Sequence, residues 1–256
     1  MSRHKLNISR LLLIGLLLCG VTVASESQSP AHIQATPIQA THIQATRILA
    51  KYNVLKGDIK VATINETYTR NQDRYQIESV WKAVGLLAMF KPETIQVTSA
   101  GSVSEQGLRP DTFVHNRKLD TKRNARAEFD WNANSIKLND RSGTRTLPLP
   151  AGTQDRLSAM YQFMYAPLQG TASYNLNMTN GSKIDVYNFL ITPNKSVTVP
   201  LGTFKALYAA SPKIPKESRT EIWLAADHAY FPYKMVITDD DGGTLTQVLT
   251  QFSLEP

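Results

Sequence analysis

The chain has 256 residues with 28 Lys and Arg against 21 Asp and Glu, a formal charge of +7. It carries a single cysteine, so an internal disulfide is excluded and stability must come from an apolar core, which a chain of this size can build. The basic excess is not clustered as a nucleic-acid footprint requires, and no nucleic-acid partner is expected.

Arg3, Lys5 and Arg10 precede an apolar run, Leu11 to Ala24, of 14 residues. As a helix this run reaches only about 21 Å, short of the roughly 30 Å of hydrocarbon a spanning helix crosses. It reads as a signal-peptide core with a cut after Ala24, where Thr22 and Ala24 are small. An uncleaved anchor and a lipoprotein are the alternatives; against the second, Cys19 follows Leu18 where a small side chain is required. Cleavage removes three basic residues and no acidic one, leaving +4, and it removes the only cysteine. A cysteine-free mature chain suits a bacterial periplasm, so residues 1–24 are expected to be a signal peptide and the location periplasmic.

Next comes one five-residue unit three times over: His32 to Thr36, Pro37 to Thr41, His42 to Thr46. Far shorter than a solenoid repeat and interrupted by Pro37, it reads as a low-complexity tether over 25–46. From residue 47 to 256 the pattern is that of one β-rich domain. Tyr75, Ile77, Ser79 and Trp81 alternate with Arg74, Gln76 and Glu78, and Ile95 and Val97 alternate with polar neighbours, as do Ala127, Phe129 and Trp131. Asn71-Gln72-Asp73, Asn180-Gly181-Ser182 and Asp239 to Gly243 supply turn chemistry between runs, which predicts antiparallel hairpins.

Two helices are predicted. Val84 to Phe90 offers Leu86, Leu87, Met89 and Phe90 in a short apolar connection ended by Pro92, either a plug or an exposed contact. Gln154 to Tyr165 places Leu157, Met160, Tyr161 and Met164 on one stripe, stopped by Pro167. Ile184 to Ile191 and Leu245 to Phe252 are apolar on both faces, which predicts that part of the sheet is covered on its second side. The fold class expected is mainly β: a curved antiparallel sheet, half-barrel-like or a sandwich, with one or two short helices.

Catalytic signatures are lacking in the sequence. No Gly-x-Ser-x-Gly elbow occurs, His115 and His228 stand alone in the domain without metal-ligand spacing, and Asp239 to Asp241 lack the alternation and closing Glu of a calcium loop. No catalytic residue, metal or cofactor is expected, and the protein is read as no enzyme. Arg117, Lys118, Lys122, Arg123 and Arg126 form the densest basic cluster, read as a solvated loop and strand edge or an anion-binding patch.

Several segments match a known pattern in order and spacing: Gly107 to Pro110, Ala127 to Trp131, Leu147 to Ser158, Val199 to Phe204, Thr220 to Ala225, Tyr230 to Pro232 and Gly243 to Phe252. With these the chain resembles the bacterial exported family called domain of unknown function 3108. It departs by its pentapeptide tether and by Arg156, where a smaller or apolar residue is expected. The resemblance implies an envelope protein of mainly antiparallel β structure and brings no catalytic residues. A fold-level analogy extends to bacterial lipoprotein-localisation carriers, half-barrels lined with apolar side chains.

Two readings of function follow. In the first, the domain is a non-enzymatic binding or carrier module for an apolar, lipid-like ligand. Trp81, Trp131, Tyr161 and Trp223 then line a cavity, and Leu86, Leu87, Met89 and Phe90 form a lid or touch a membrane surface. In the second, it is a structural or interaction protein of the cell envelope with a filled core, tethered to a protein partner.

Overall fold

Period-two alternation yields strands almost wherever it occurs. In the computed structural model, which describes residues 45–255, the first run comprises β1 (Arg47–Lys56), β2 (Ile59–Asn71), β3 (Arg74–Ala83), β4 (Thr94–Ser104), β5 (Gly107–Arg117), β6 (Ala125–Asp130), β7 (Ser135–Asp140) and β8 (Gly143–Pro148). The second comprises β9 (Gln154–Asp155), β10 (Ser173–Thr179), β11 (Ile184–Val199), β12 (Gly202–Ala210), β13 (Arg219–Ala225), β14 (Phe231–Thr238) and β15 (Thr244–Glu255). The expected signal peptide and all but the last two residues of the expected tether lie outside the described residues. Those two lie against the sheet just before β1: Ala45 is buried, and the Thr46 amide donates to the Glu255 carbonyl.

All fifteen strands form one sheet, ordered β8 to β1 and then β15 back to β9. Each half is a meander, and the two join where β1 pairs with both β2 and β15. Every pairing is antiparallel except the two-residue match of β9 with β10. The sheet stays open, with β8 and β9 as its edges. It rolls far enough that Arg145 on β8 hydrogen-bonds the Ser182 carbonyl in the β10–β11 turn. Of the two architectures predicted, the half-barrel is the one formed.

Bulges provide the curl. Ladder irregularities fall at Lys51/Tyr52, Val54/Leu55, Ala100/Gly101, Thr192/Lys195 and Trp223/Leu224, and each adds local twist and bend to its strand. The predicted turns all serve as hairpin connections; Gln72 and Gly181 take φ of +57° and +87°, as tight reversals demand.

One cross-strand row fixes the inner face: Ile48, Tyr68, Ile77, Ser99, Phe113, Ala127 and Leu138 lie in register on seven strands. All seven side chains are essentially buried. On one side of the row an aromatic core fills the roll, with Tyr161 stacked on Tyr68 at 5.2 Å and edge-on to Phe231 at 5.5 Å. Full burial of such rings contributes roughly 1.5–3 kcal/mol apiece, which is how a cysteine-poor chain holds its shape.

The predicted helix over 154–165 is shorter than expected. Gln154 and Asp155 extend beside Met178 and Thr179, and α2 spans only Ser158–Gln162. Asp155 is the cause. Its carboxylate accepts the Leu157 and Ser158 amides, and its own amide donates to Ser158 Oγ, the reciprocal arrangement of a capping box. α1 (Gly85–Phe90) forms as predicted between β3 and β4. The apolar outer face expected to be covered on β11 is open instead, with Val186 72% and Leu190 51% exposed. The roll supplies one interior, so a strand with apolar residues on both faces leaves one set outside.

Candidate functional site

Beyond the buried row, at the end of the roll opposite the aromatic core, the interior is hollow. Two further rows form its wall: Ile64, Trp81, Ile95 and Arg117, and Glu66, Ser79, Val97 and His115. Val54 on β1, Met235 and Ile237 on β14, and Leu245 and Gln247 on β15 complete the sheet's contribution. The trough holds about 500 Å³, within the roughly 300–1,000 Å³ of small-molecule sites, and apolar side chains dominate its lining.

The crossing segment before and within α2 makes the floor. Arg156, Leu157 and Met160 face the trough, while Tyr161 and Met164 face the aromatic core. The stripe read from the sequence is therefore shared between core and cavity. Gln154 and Gln162 fasten this segment to the start of β5: Gln154 Nε2 donates to the Leu108 carbonyl at 2.7 Å, and Gln162 Oε1 accepts the Leu108 amide at 2.8 Å. A second hollow of about 270 Å³, bordered by Leu176, Met178, Tyr187 and Phe189, shares Arg156 and Met160 with the first.

α1 sits at the rim of the trough. Leu87 turns into the trough, whereas Leu86, Met89 and Phe90 are 70%, 77% and 85% exposed. Three large apolar side chains on one short helix therefore face water, and packing within the fold does not account for them. Of the two arrangements considered for α1, Leu87 faces inward and its neighbours Leu86, Met89 and Phe90 face solvent.

Polar groups enter this apolar wall at a few points. Glu66 accepts a hydrogen bond from the Tyr161 hydroxyl at 3.0 Å and one from Ser79; burial raises its pKa against the effect of those bonds. His115 is pushed down to about 4, first by burial and then by the charges of Arg156 and Arg117, so it is neutral at ordinary pH. Arg117 lies 3.8 Å from Glu93, too far for a hydrogen bond. Arg156 is solvent-accessible along the hollow yet surrounded by protein. The surrounding protein, and after it the charge of Arg117, hold the Arg156 pKa below the ordinary value.

Of the eight side chains predicted to meet a ligand, Trp81 and Leu87 line the trough. Leu86, Met89 and Phe90 share its helix but point to solvent. Trp131 lies elsewhere: six residues along from Ala125, the partner of His115, it is about 20 Å farther down its strand. There its indole donates to the Pro110 carbonyl at 2.8 Å, stacks on Phe129 and lies under Arg109. Tyr161 is sealed in the core and acts on the trough only through Glu66. Trp223 is half-buried, packs against the aromatic core and on Tyr208, and lies beneath Lys234, away from the trough lining.

His115, Arg117 and Arg156 escaped sequence reasoning as a group. His115 and Arg117 follow Phe113 at inward strand positions, a detectable signal once the register is known. The basic cluster that includes Arg117 disperses: Arg123 pairs with Asp120 and Arg126 with Glu128 on the surface, and Arg117 alone turns inward.

The profile of a family described as protein of unknown function (DUF3108) matches residues 49–250. None of the curated proteins matches the chain. Among solved structures, a β-barrel-like protein of domain of unknown function DUF1849 from Brucella abortus is similar with a TM-score of 0.51 at 12% identity, over 84% of this chain and all of that one. A putative lipoprotein from Parabacteroides distasonis is similar over 82% of this chain and 96% of that one, at 10% identity and a TM-score of 0.32.

Proposed function

As this chain belongs to the DUF3108 family, whose profile takes in every strand that walls the trough, we propose that it is a non-enzymatic binding or carrier module for an apolar, lipid-like ligand in the bacterial envelope. One observation carries the reading: the roll is filled at one end and hollow at the other, and the hollow is lined by Val54, Ile64, Trp81, Ile95, Ile237 and Leu245. A protein whose interior served stability alone would gain by closing it, since cavity lining forfeits contacts. The leader expected over residues 1–24 fits export to the periplasm, where acyl chains need carriers between membranes.

Native mass spectrometry of the protein isolated from the periplasm tests this directly. A mass excess lost on denaturation is expected. A clean chain mass, with no uptake of the apolar fluorophore N-phenyl-1-naphthylamine, overturns the reading. Replacing Ile95 with Trp should fill the trough and cut fluorophore uptake about tenfold while shifting the melting temperature by only a few degrees, because Ile95 faces open space on one side.

The exposed side of α1 supplies the docking step. Glutamates at positions 89 and 90 (Met89→Glu with Phe90→Glu) should abolish association with phosphatidylethanolamine–phosphatidylglycerol vesicles in a flotation assay. Stability should hardly move, because neither side chain is buried in the fold. Undiminished flotation would remove α1 from the membrane contact.

A further inference from the structure

We propose that the trough takes a single-chain amphiphile with an acidic head, and that Arg156, assisted by Arg117 and His115, holds that head. The proposal deepens the carrier reading and rests on it. A wholly apolar cargo has no use for cations along its path. Here three basic side chains face one another across an otherwise apolar space: His115 and Arg117 are two residues apart on the inward face of β5, about 7 Å along the strand, and Arg156 rises from the floor close enough for its charge to act on His115.

Their bonding is incomplete in a way that points inward. Arg156 makes no hydrogen bond or ion pair with any other described residue, and it is exposed along the hollow, where a ligand can reach it. Arg117 Nε and His115 Nε2 are both buried without a hydrogen-bond partner among the described residues. Enclosed donors of this kind cost stability unless something accepts from them. The acids that face the same space do not meet the need. Glu66 is engaged by Tyr161 and Ser79, and Glu93 accepts from the Leu119 amide and forms an ion pair with Arg117 at 3.8 Å that leaves Arg117 Nε without a hydrogen bond. Lys91, at the rim, adds another positive charge.

A guanidinium fork matches the two oxygens of a carboxylate or phosphate. Neutral His115, with its proton on Nε2, donates to the same oxyanion. The apolar remainder of the wall receives the chain. Arg156 stands between the two hollows, so the head lies at their junction with the tail along the larger one.

Binding of palmitate, palmitoyl lysophosphatidic acid and hexadecanol to the delipidated full chain, followed by Trp81 fluorescence at neutral pH, tests the assignment. The native protein should bind at least one of the two acids tenfold or more tighter than the alcohol, and the preferred acid identifies the head as carboxylate or phosphate. Arg156→Met should erase that preference, so that acid and alcohol bind alike; Arg156→Gln serves if the Met variant melts early. Equal binding of acids and alcohol, or a preference that survives in both variants, overturns the head-group assignment while the carrier reading stands. Binding of none of the three overturns both.

Discussion

Replacing Asp155 with Ala is expected to lower stability by about 3 kcal/mol and the melting temperature by roughly 10 °C. The carboxylate is completely buried and gathers three donors: Ser99 Oγ at 2.5 Å, the Leu157 amide at 2.8 Å and the Ser158 amide at 2.9 Å. Ser99 is in turn joined to the Tyr75 hydroxyl at 3.0 Å. Alanine strands all of them and uncaps α2, the floor of the trough. Asn can accept the two amides and bond Ser99, so Asp155→Asn should stay within about 1 kcal/mol of the native protein. If the two variants unfold alike in urea, the network does not stabilise as described.

The Asn variant also exposes a pH dependence. Burial raises the Asp155 pKa to about 6, above its unfolded value near 4. The folded state therefore holds the proton more tightly. The stabilisation this contributes is complete below about pH 4 and is lost as pH rises through about 6. His115 acts oppositely in the same window. Its folded pKa of about 4 lies below the unfolded value near 6.5, so its contribution is present above about 6.5 and lost as pH falls through 4. The two slopes offset each other in the native protein. The difference between native and Asp155→Asn stability isolates the first, and it should shift against the native protein between pH 4 and 7.

How far this was legible in the sequence varies by level. Alternation along Tyr75 to Trp81 and along Ile95 to Val97 located strands and their inward faces, because a period of two is imposed by the chain itself. Register is a tertiary property. Nothing local says that Ile64, Trp81, Ile95 and Arg117 share a row, or that the row on one side of Tyr68 and Ile77 faces a hollow while the other side is filled. The tryptophans were chosen as ligand contacts for their size, yet size does not tell a cavity wall from a core. Trp81 falls on the trough rows; Trp131, in the turn after β6, and Trp223, on β13, do not. Helix α2 was overextended at its start because the apolar stripe, which begins at Leu157, carries no sign of the pairing with β10 that holds Gln154 and Asp155 extended. Arg156 drew notice only as a misfit in a familiar pattern. Its place in the lining of two hollows is a tertiary property that the sequence does not carry.

Replacing Gly101 with Ala should cost about 3–4 kcal/mol, more than overpacking usually does. Gly101 lies at the β4–β5 bulge opposite Pro110, where a Cβ would stand 2.1 Å from the Arg109 carbonyl oxygen and 2.7 Å from Pro110 Cα. Both are backbone atoms of the neighbouring strand. No rotamer change relieves the clash, so β4 and β5 must part. Parting them pulls the Pro110 carbonyl from the Trp131 indole and disturbs Tyr75, which pairs with Gly101 from β3. Gly170→Ala is the matching control. Gly170 has φ of +75° with open space around it, so alanine there pays only for its backbone conformation, about 1 kcal/mol. Urea unfolding of the two variants separates close approach from conformational strain; equal losses would mean the bulge can widen freely. A bulge that cannot widen matters to the trough, since β4 carries Ile95 and Val97 on its wall only a few residues away. The same close approach that bends the strand around the filled end holds the hollow end open.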